Sequence, residues 1–169
     1  MVEIISVLCL PLAALILIRL IVVDLQIQLL PNILVLGLAL TGFAFHASTL
    51  FYYGGAQTLL IGALIGGGSL FGIRFVANYF YKTDTLGLGD VKLVAAGGLW
   101  LGAHDILIAL IFGALAGVVH GLSLIGHQWL KTKKIDDLAT FSLPAGPGFI
   151  IGLFAVALAK FWGLPHLTP

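Results

Sequence analysis

Polar positions in this chain act as punctuation between long apolar runs. A helix needs about 20 apolar residues to cross hydrocarbon. Five runs meet or approach that length: Ile4–Val23, Ile33–Tyr53, Ala56–Tyr81, His104–Gly126 and Leu143–Trp162. A sixth, Val91–Leu101, is too short to cross alone. Its Ala95-Ala96-Gly97-Gly98 stretch permits close helix contact, so a short or half-submerged helix enclosed by its neighbours is expected there. The pattern predicts an all-α fold: a polytopic membrane helix bundle of about six segments, the fourth short, forming one integral-membrane domain over residues 1–169. Pro11 falls early in the first run, where a kink is expected, and Pro31-Asn32 opens the second, since proline suits a first helical turn. The one clearly polar loop is His127–Thr140, with a lysine cluster and Asp136-Asp137. There is no low-complexity segment and no clear internal repeat.

Composition agrees. Charged residues make up 9% of the chain, against about 25% in a soluble domain, and mean hydropathy is +1.16. A separate soluble domain has no room. The formal net charge of +1 gives no reason to expect a nucleic-acid partner. Cys9 is the single cysteine, so neither an internal disulfide nor a Cys-based zinc site is expected; no His or acidic cluster suggests another metal, and no cofactor is implied. The first run lacks a basic leading segment and a small-x-small cleavage site, so it reads as a retained helix and not a signal peptide.

Lysine and arginine placement sets orientation. Lys82, Lys92, Lys131, Lys133 and Lys134 follow the first, third and fifth segments or the connections they open, and the opposite face carries only Lys160. Arg19 and Arg74 lie near the same ends of their spans and can snorkel that way. By the positive-inside rule, both termini face outward and the lysine-bearing connections are cytoplasmic.

Against this background two carboxylates stand out. Asp24 ends the first apolar run, and Asp90 sits in Gly87-Leu88-Gly89-Asp90-Val91-Lys92. An ionisable side chain beside hydrocarbon is expensive and is a functional candidate by default. An even number of crossings separates the two, so both are expected at the cytoplasmic border, where they can share a site. Two carboxylates a few ångströms apart cannot both ionise; the pair titrates as a unit. Such a pair can deprotonate a water with one member and protonate a scissile carbonyl with the other. The individual roles stay open. Gly87 and Gly89 would let a second backbone approach the acid closely, and Lys92 lies two positions on.

These residues carry a family resemblance. Leu86–Gly102, LGLGDVKLVAAGGLWLG, resembles the second active-site motif of bacterial type IV prepilin peptidases, intramembrane aspartic proteases of the Gly-x-Gly-Asp type. Asp24–Asn32, DLQIQLLPN, resembles the first motif, an Asp followed seven positions later by Pro and then Asn or Asp. Pro144-Ala145-Gly146-Pro147 looks like the family's terminal Pro-x-Gly-Pro segment. The resemblance implies Asp24 and Asp90 as the catalytic pair, with Pro31, Asn32, Gly87, Gly89, Lys92, Pro144, Gly146 and Pro147 as motif support. It implies cleavage of leader peptides from prepilins or pseudopilins at the cytoplasmic face of the bacterial inner membrane. Larger members carry an N-terminal region with paired Cys-x-x-Cys motifs linked to methylation. This chain resembles the short, peptidase-only branch, for which no methyltransferase activity is expected. Ile27 and Gln28 stand where basic residues often follow the first Asp.

Other readings compete. Asp90 suits a helix N-cap, and Asp24 suits a juxtamembrane acid. A small transporter or channel passing protons or cations through buried acids is the alternative function; a non-enzymatic assembly subunit is a third. Gly66-Gly67-Gly68, Gly113 and Gly117 read as helix-packing positions, and His46 and His120 as neutral, hydrogen-bonded interior histidines. Asp84 is the decoy beside Asp90, Asp105 falls on the outer face, and salt bridges from Arg19 to Asp24 or Arg74 to Asp84 stay open.

Overall fold

The computed structural model describes residues 2–84, 86–132 and 145–162, with side chains for all of these except 2, 3 and 128–132. Every regular element among them is a helix: α1 (Val2–Ile27), α2 (Asn32–Ser48), α3 (Ala56–Tyr81), α4 (Leu88–Thr132) and α5 (Gly146–Phe161). The polar loop, with Lys133, Lys134, Asp136 and Asp137, lies largely outside the described residues, as does Pro144.

Five helices stand where six segments are expected, because the short fourth segment runs into the fifth. α4 kinks at Gly102, whose φ of 81° and ψ of −179° are far from helical. Glycine adopts this conformation without the Cβ clash that other residues meet. The first part of α4, residues 88–101, is the enclosed short helix that the Ala-Gly face foretells. Among the described residues, three stretches are long and apolar enough to cross a membrane: Ile4–Ile27, Ala56–Tyr81 and Leu88–His127. α2 and α5, at 17 and 16 residues, span about 26 and 24 Å.

α2 is also shorter than its apolar run. It stops at Ser48, where the Ser48 and Thr49 hydroxyls bond back to the Phe45 carbonyl and Leu50 and Phe51 take left-handed φ values of 50° and 58°. Hydroxyl-to-backbone bonds of this kind compete with helix continuation. α1 runs through Pro11.

Glycine faces draw the helices together. A Cβ on Gly98 would strike the Gly62 carbonyl, and one on Gly66 would meet Ile106 at 2.8 Å, so α3 and α4 touch backbone to backbone. On the other side of α4, Gly148 and Gly152 of α5 pack on Gly113 and Gly117 in the same way. The packing role expected of these glycines holds at Gly66, Gly67 and Gly113; the Gly117 backbone is approached by Gly148, but an added Cβ on Gly117 or Gly68 would meet open space. Leu20, Leu93, Leu101, Ile106 and Ile150 are fully buried. Phe45 stacks on Trp100 and meets Phe161 edge-on. Large apolar side chains such as Leu8, Leu15, Ile33, Leu64 and Val119 face outward, as hydrocarbon-facing residues do.

Candidate active site

Asp24 lies one turn before the end of α1. That helix closes on Gln28, which takes a left-handed φ of 52° and donates its N–H to the Asp24 carbonyl at 2.9 Å, the geometry of a helix stop. Two residues without regular structure lead to Pro31, which is itself extended, caps α2 and accepts from the Leu34 and Val35 amides at 3.1 and 3.2 Å. Pro31 is thus the residue before the helix and not its first turn. The linker crosses the start of α4, where a Cβ on Gly89 would lie 2.9 Å from Leu30 Cβ. Gly89 admits this crossing, which seats the linker after α1 on the start of α4.

Asp90 occupies the first turn of α4. Its N–H donates to the Gly87 carbonyl at 3.2 Å, and its carboxylate accepts from the Gly87 backbone in return. The Gly87 position is tight: a Cβ there would stand 3.0 Å from Asp90 Oδ2. Asp90 is therefore the third residue of α4 and not its N-cap; its carboxylate reaches back to the Gly87 backbone as an acid at that position does, and stays in the interior as well.

A third element closes the site. α5 begins at Gly146, whose backbone donates to the Asp24 carboxylate. A Cβ on Gly146 would fall 2.6 Å from Asp24 Oδ2. A helix N-terminus carries unsatisfied N–H groups and a partial positive charge, which favour a carboxylate beside it. Pro147, with no N–H to leave unpaired, fits this first turn.

The structure thus brings Asp24 and Asp90 together. Asp24 lies within electrostatic range of Asp90, and the two are 5% and 7% exposed. Among the described residues, Asp24 Oδ2 and Asp90 Oδ1 have no hydrogen-bond partner. Two such oxygens on facing elements suit a group that both donates and accepts, as a water does. Lys92 Nζ donates to Asn32 Oδ1 at 3.0 Å, so two motif residues fasten the start of α2 to α4 instead of reaching the acids.

The other candidates fall elsewhere. Asp84 is an exposed loop acid bound to Arg74 Nη2 at 2.6 Å and Asn78 at 3.1 Å. Asp105 pairs with Lys160 at 2.9 Å and with His104 at 3.0 Å, beyond the kink from Asp90. His46 is fully buried, and its Nε2–H donates to the Trp100 carbonyl at 3.0 Å. No three His, Cys, Asp or Glu side chains cluster as metal ligands among the described residues. The contact of Gly146 with Asp24 escaped the sequence reading except as motif support; a Pro-x-Gly-Pro segment opening a helix was the available signal.

A model of the type IV leader peptidase family matches residues 11–122. The chain is 33% identical over 141 residues to a prepilin leader peptidase/N-methyltransferase of Xanthomonas campestris pv. campestris, covering 83% of this chain and 45% of the relative. It is 35% identical over 157 residues to the enzyme of the same name from Legionella pneumophila, covering 90% and 49%. For that of Aeromonas hydrophila, identity is 35% over 154 residues, covering 88% and 47%. The chain spans about half the length of the curated relatives it matches. No solved structure matches it.

Proposed function

The chain belongs to the type IV leader peptidase family, and from that premise we propose that it is an aspartic endopeptidase removing leader peptides from type IV prepilins or pseudopilins. The carrying observation is the pair itself: two buried carboxylates from α1 and α4, interacting, each with an oxygen that no described group satisfies. A water between them is deprotonated by the ionised member. It attacks the scissile carbonyl while the protonated member delivers its proton to the carbonyl oxygen. The tetrahedral intermediate then breaks its C–N bond, and a proton passes to the departing amine. Of the two activities in the relatives' names, the peptidase is the one these aspartates equip.

The protein sits in the bacterial inner membrane as a multi-pass bundle of six segments, with the 88–101 and 103–132 portions of α4 counted separately and both termini outward. The aspartates then lie at the cytoplasmic border, where water is available, and the precursor's own apolar helix lies in the bilayer beside the enzyme. Both acids stand within about one turn of a helix end, which weighs against proton or cation passage, a task for acids near mid-bilayer.

Co-expression with a leader-bearing pilin precursor tests the reading on a gel. The wild-type chain should convert precursor to the shorter mature form. Asp24→Asn and Asp90→Asn should each insert normally and leave the precursor uncut. Normal processing by either variant would overturn the assignment.

A further inference from the structure

The short helix that carries Asp90 is held at both ends by a cation from a neighbouring helix. At its far end the Gly102 kink interrupts the helical ladder, and the last carbonyls of a helix lack intrahelical partners. Two of them are met from other elements. Trp100 O accepts from His46 of α2 at 3.0 Å, and Leu101 O accepts from Lys160 Nζ of α5 at 2.5 Å. Lys160 also reaches Asp105 Oδ2 at 2.9 Å, past the kink, so one ammonium spans the break. At the near end, Arg74 of α3 donates through Nη1 to the Leu86 carbonyl and through Nη2 to Asp84. Leu86 directly precedes Gly87, whose backbone binds the Asp90 carboxylate.

We infer that Arg74 and Lys160 are positioning residues: they set the axial register of residues 88–101, and so the place of the Asp90 carboxylate relative to Asp24. The inference rests on the proposed role of Asp90 in cleavage. Its physical basis is the smoothness of the helix face. Residues 95–98 are Ala-Ala-Gly-Gly, and they meet Gly62 and Gly67 of α3. Small residues give close contact but few protruding side chains to resist sliding. Toward α3 a carbonyl held at each end supplies the stop that this face lacks, while on the α2 side Trp100 on Phe45 and Leu38 O, and Lys92 on Asn32, hold the helix as well. Stability alone explains Lys160 poorly, because well-packed apolar residues often replace a largely buried ion pair with no loss, and the Arg74 pair with exposed Asp84 contributes little by itself. Lys160 keeps 19% of its side chain exposed and Arg74 15%, so both are largely withdrawn from solvent.

The test uses the purified full chain and a leader-bearing precursor, with Asp90→Asn as a control. Lys160→Met should lower kcat about tenfold or more, since a 1 Å misplacement can cost 10²-fold, with KM little changed. Lys160→Arg should restore most of the loss. Arg74→Met against Arg74→Lys tests the other end separately, so poor folding of one variant does not decide the matter. Register is also read without catalysis. A Cβ on Gly67 would lie 3.0 Å from Ala95 Cβ, so Gly67→Cys with Ala95→Cys, in a Cys9→Ala background, should bridge on oxidation. Adding Lys160→Met should reduce the bridged fraction severalfold. Unchanged kcat per folded enzyme together with unchanged bridging would overturn the inference. Failure of the wild type to cleave, or cleavage by Asp90→Asn, would overturn the proposed function, and the bridging readout would still decide whether Lys160 sets the register.

Discussion

Lys92 Nζ donates to Asn32 Oδ1 across 3.0 Å, joining two motif side chains that are sixty positions apart. The bond ties the entrance of α2 to the second turn of α4, near the linker that follows Asp24. It braces the approach of the two acids without touching either.

The bond is exposed, and an ordinary hydrogen bond contributes about 0.5–1.5 kcal/mol. Lys92→Met and Asn32→Ala should therefore each lower kcat/KM by roughly two- to tenfold. The double variant should be no worse than the weaker single one, because both remove the same contact. A double-mutant cycle on purified enzyme measures this coupling.

Gly146→Ala should abolish most cleavage while leaving insertion intact. The new methyl would stand 2.6 Å from Asp24 Oδ2, so either the carboxylate or the start of α5 must move, and displacement of about 1 Å costs up to 10²-fold. Gly68→Ala, which meets nothing within 4 Å, is the matched control and should cleave normally. Initial rates on the same precursor compare the two.

Asp84→Asn should keep cleavage within about twofold of wild type, as expected for loss of an exposed ion pair. Its carboxylate is 79% exposed and bound to Arg74, and Asn retains an oxygen for that donor. Complete loss of cleavage would show that the acid nearest Asp90 in sequence belongs to the site.

Gly98→Ala should destabilise the protein by about 1–3 kcal/mol, the usual cost of overpacking. Its Cβ would enter the Gly62 backbone, which cannot rotate away as a side chain can. Gly72→Ala meets open space and should leave the thermal midpoint in detergent unchanged.

Much of this was legible before the fold. That Asp24 and Asp90 could share one border is an expectation from where the apolar runs stop, and the structure sets them on neighbouring elements with their charges within range of each other. The enclosed short helix was visible in Ala95–Gly98. Other features were hidden for physical reasons. Gly102 falls between the Val91–Leu101 and His104–Gly126 runs, so the sequence marks a break there, but not that the helix resumes directly beyond it as one kinked element. The apolar Leu50–Tyr53 segment extended the second run past Ser48, because hydropathy reports burial and not backbone conformation. Arg74–Asp84 was one open pairing, and the structure selects it. Lys160 and Asp105 share the expected outer face, but 55 positions separate them and spacing alone does not pair them. Which helix start would abut Asp24 depends on packing angles that spacing does not encode.

The most direct measurement is a single-turnover cleavage series comparing wild type, Asp24→Asn, Asp90→Asn and the double variant, each quantified as folded protein. Carboxylates acting on one water as a unit predict that both single variants fall to the same residual rate as the double. Substantial cleavage by either single variant, or a double variant slower by the product of two partial losses, would contradict a shared site.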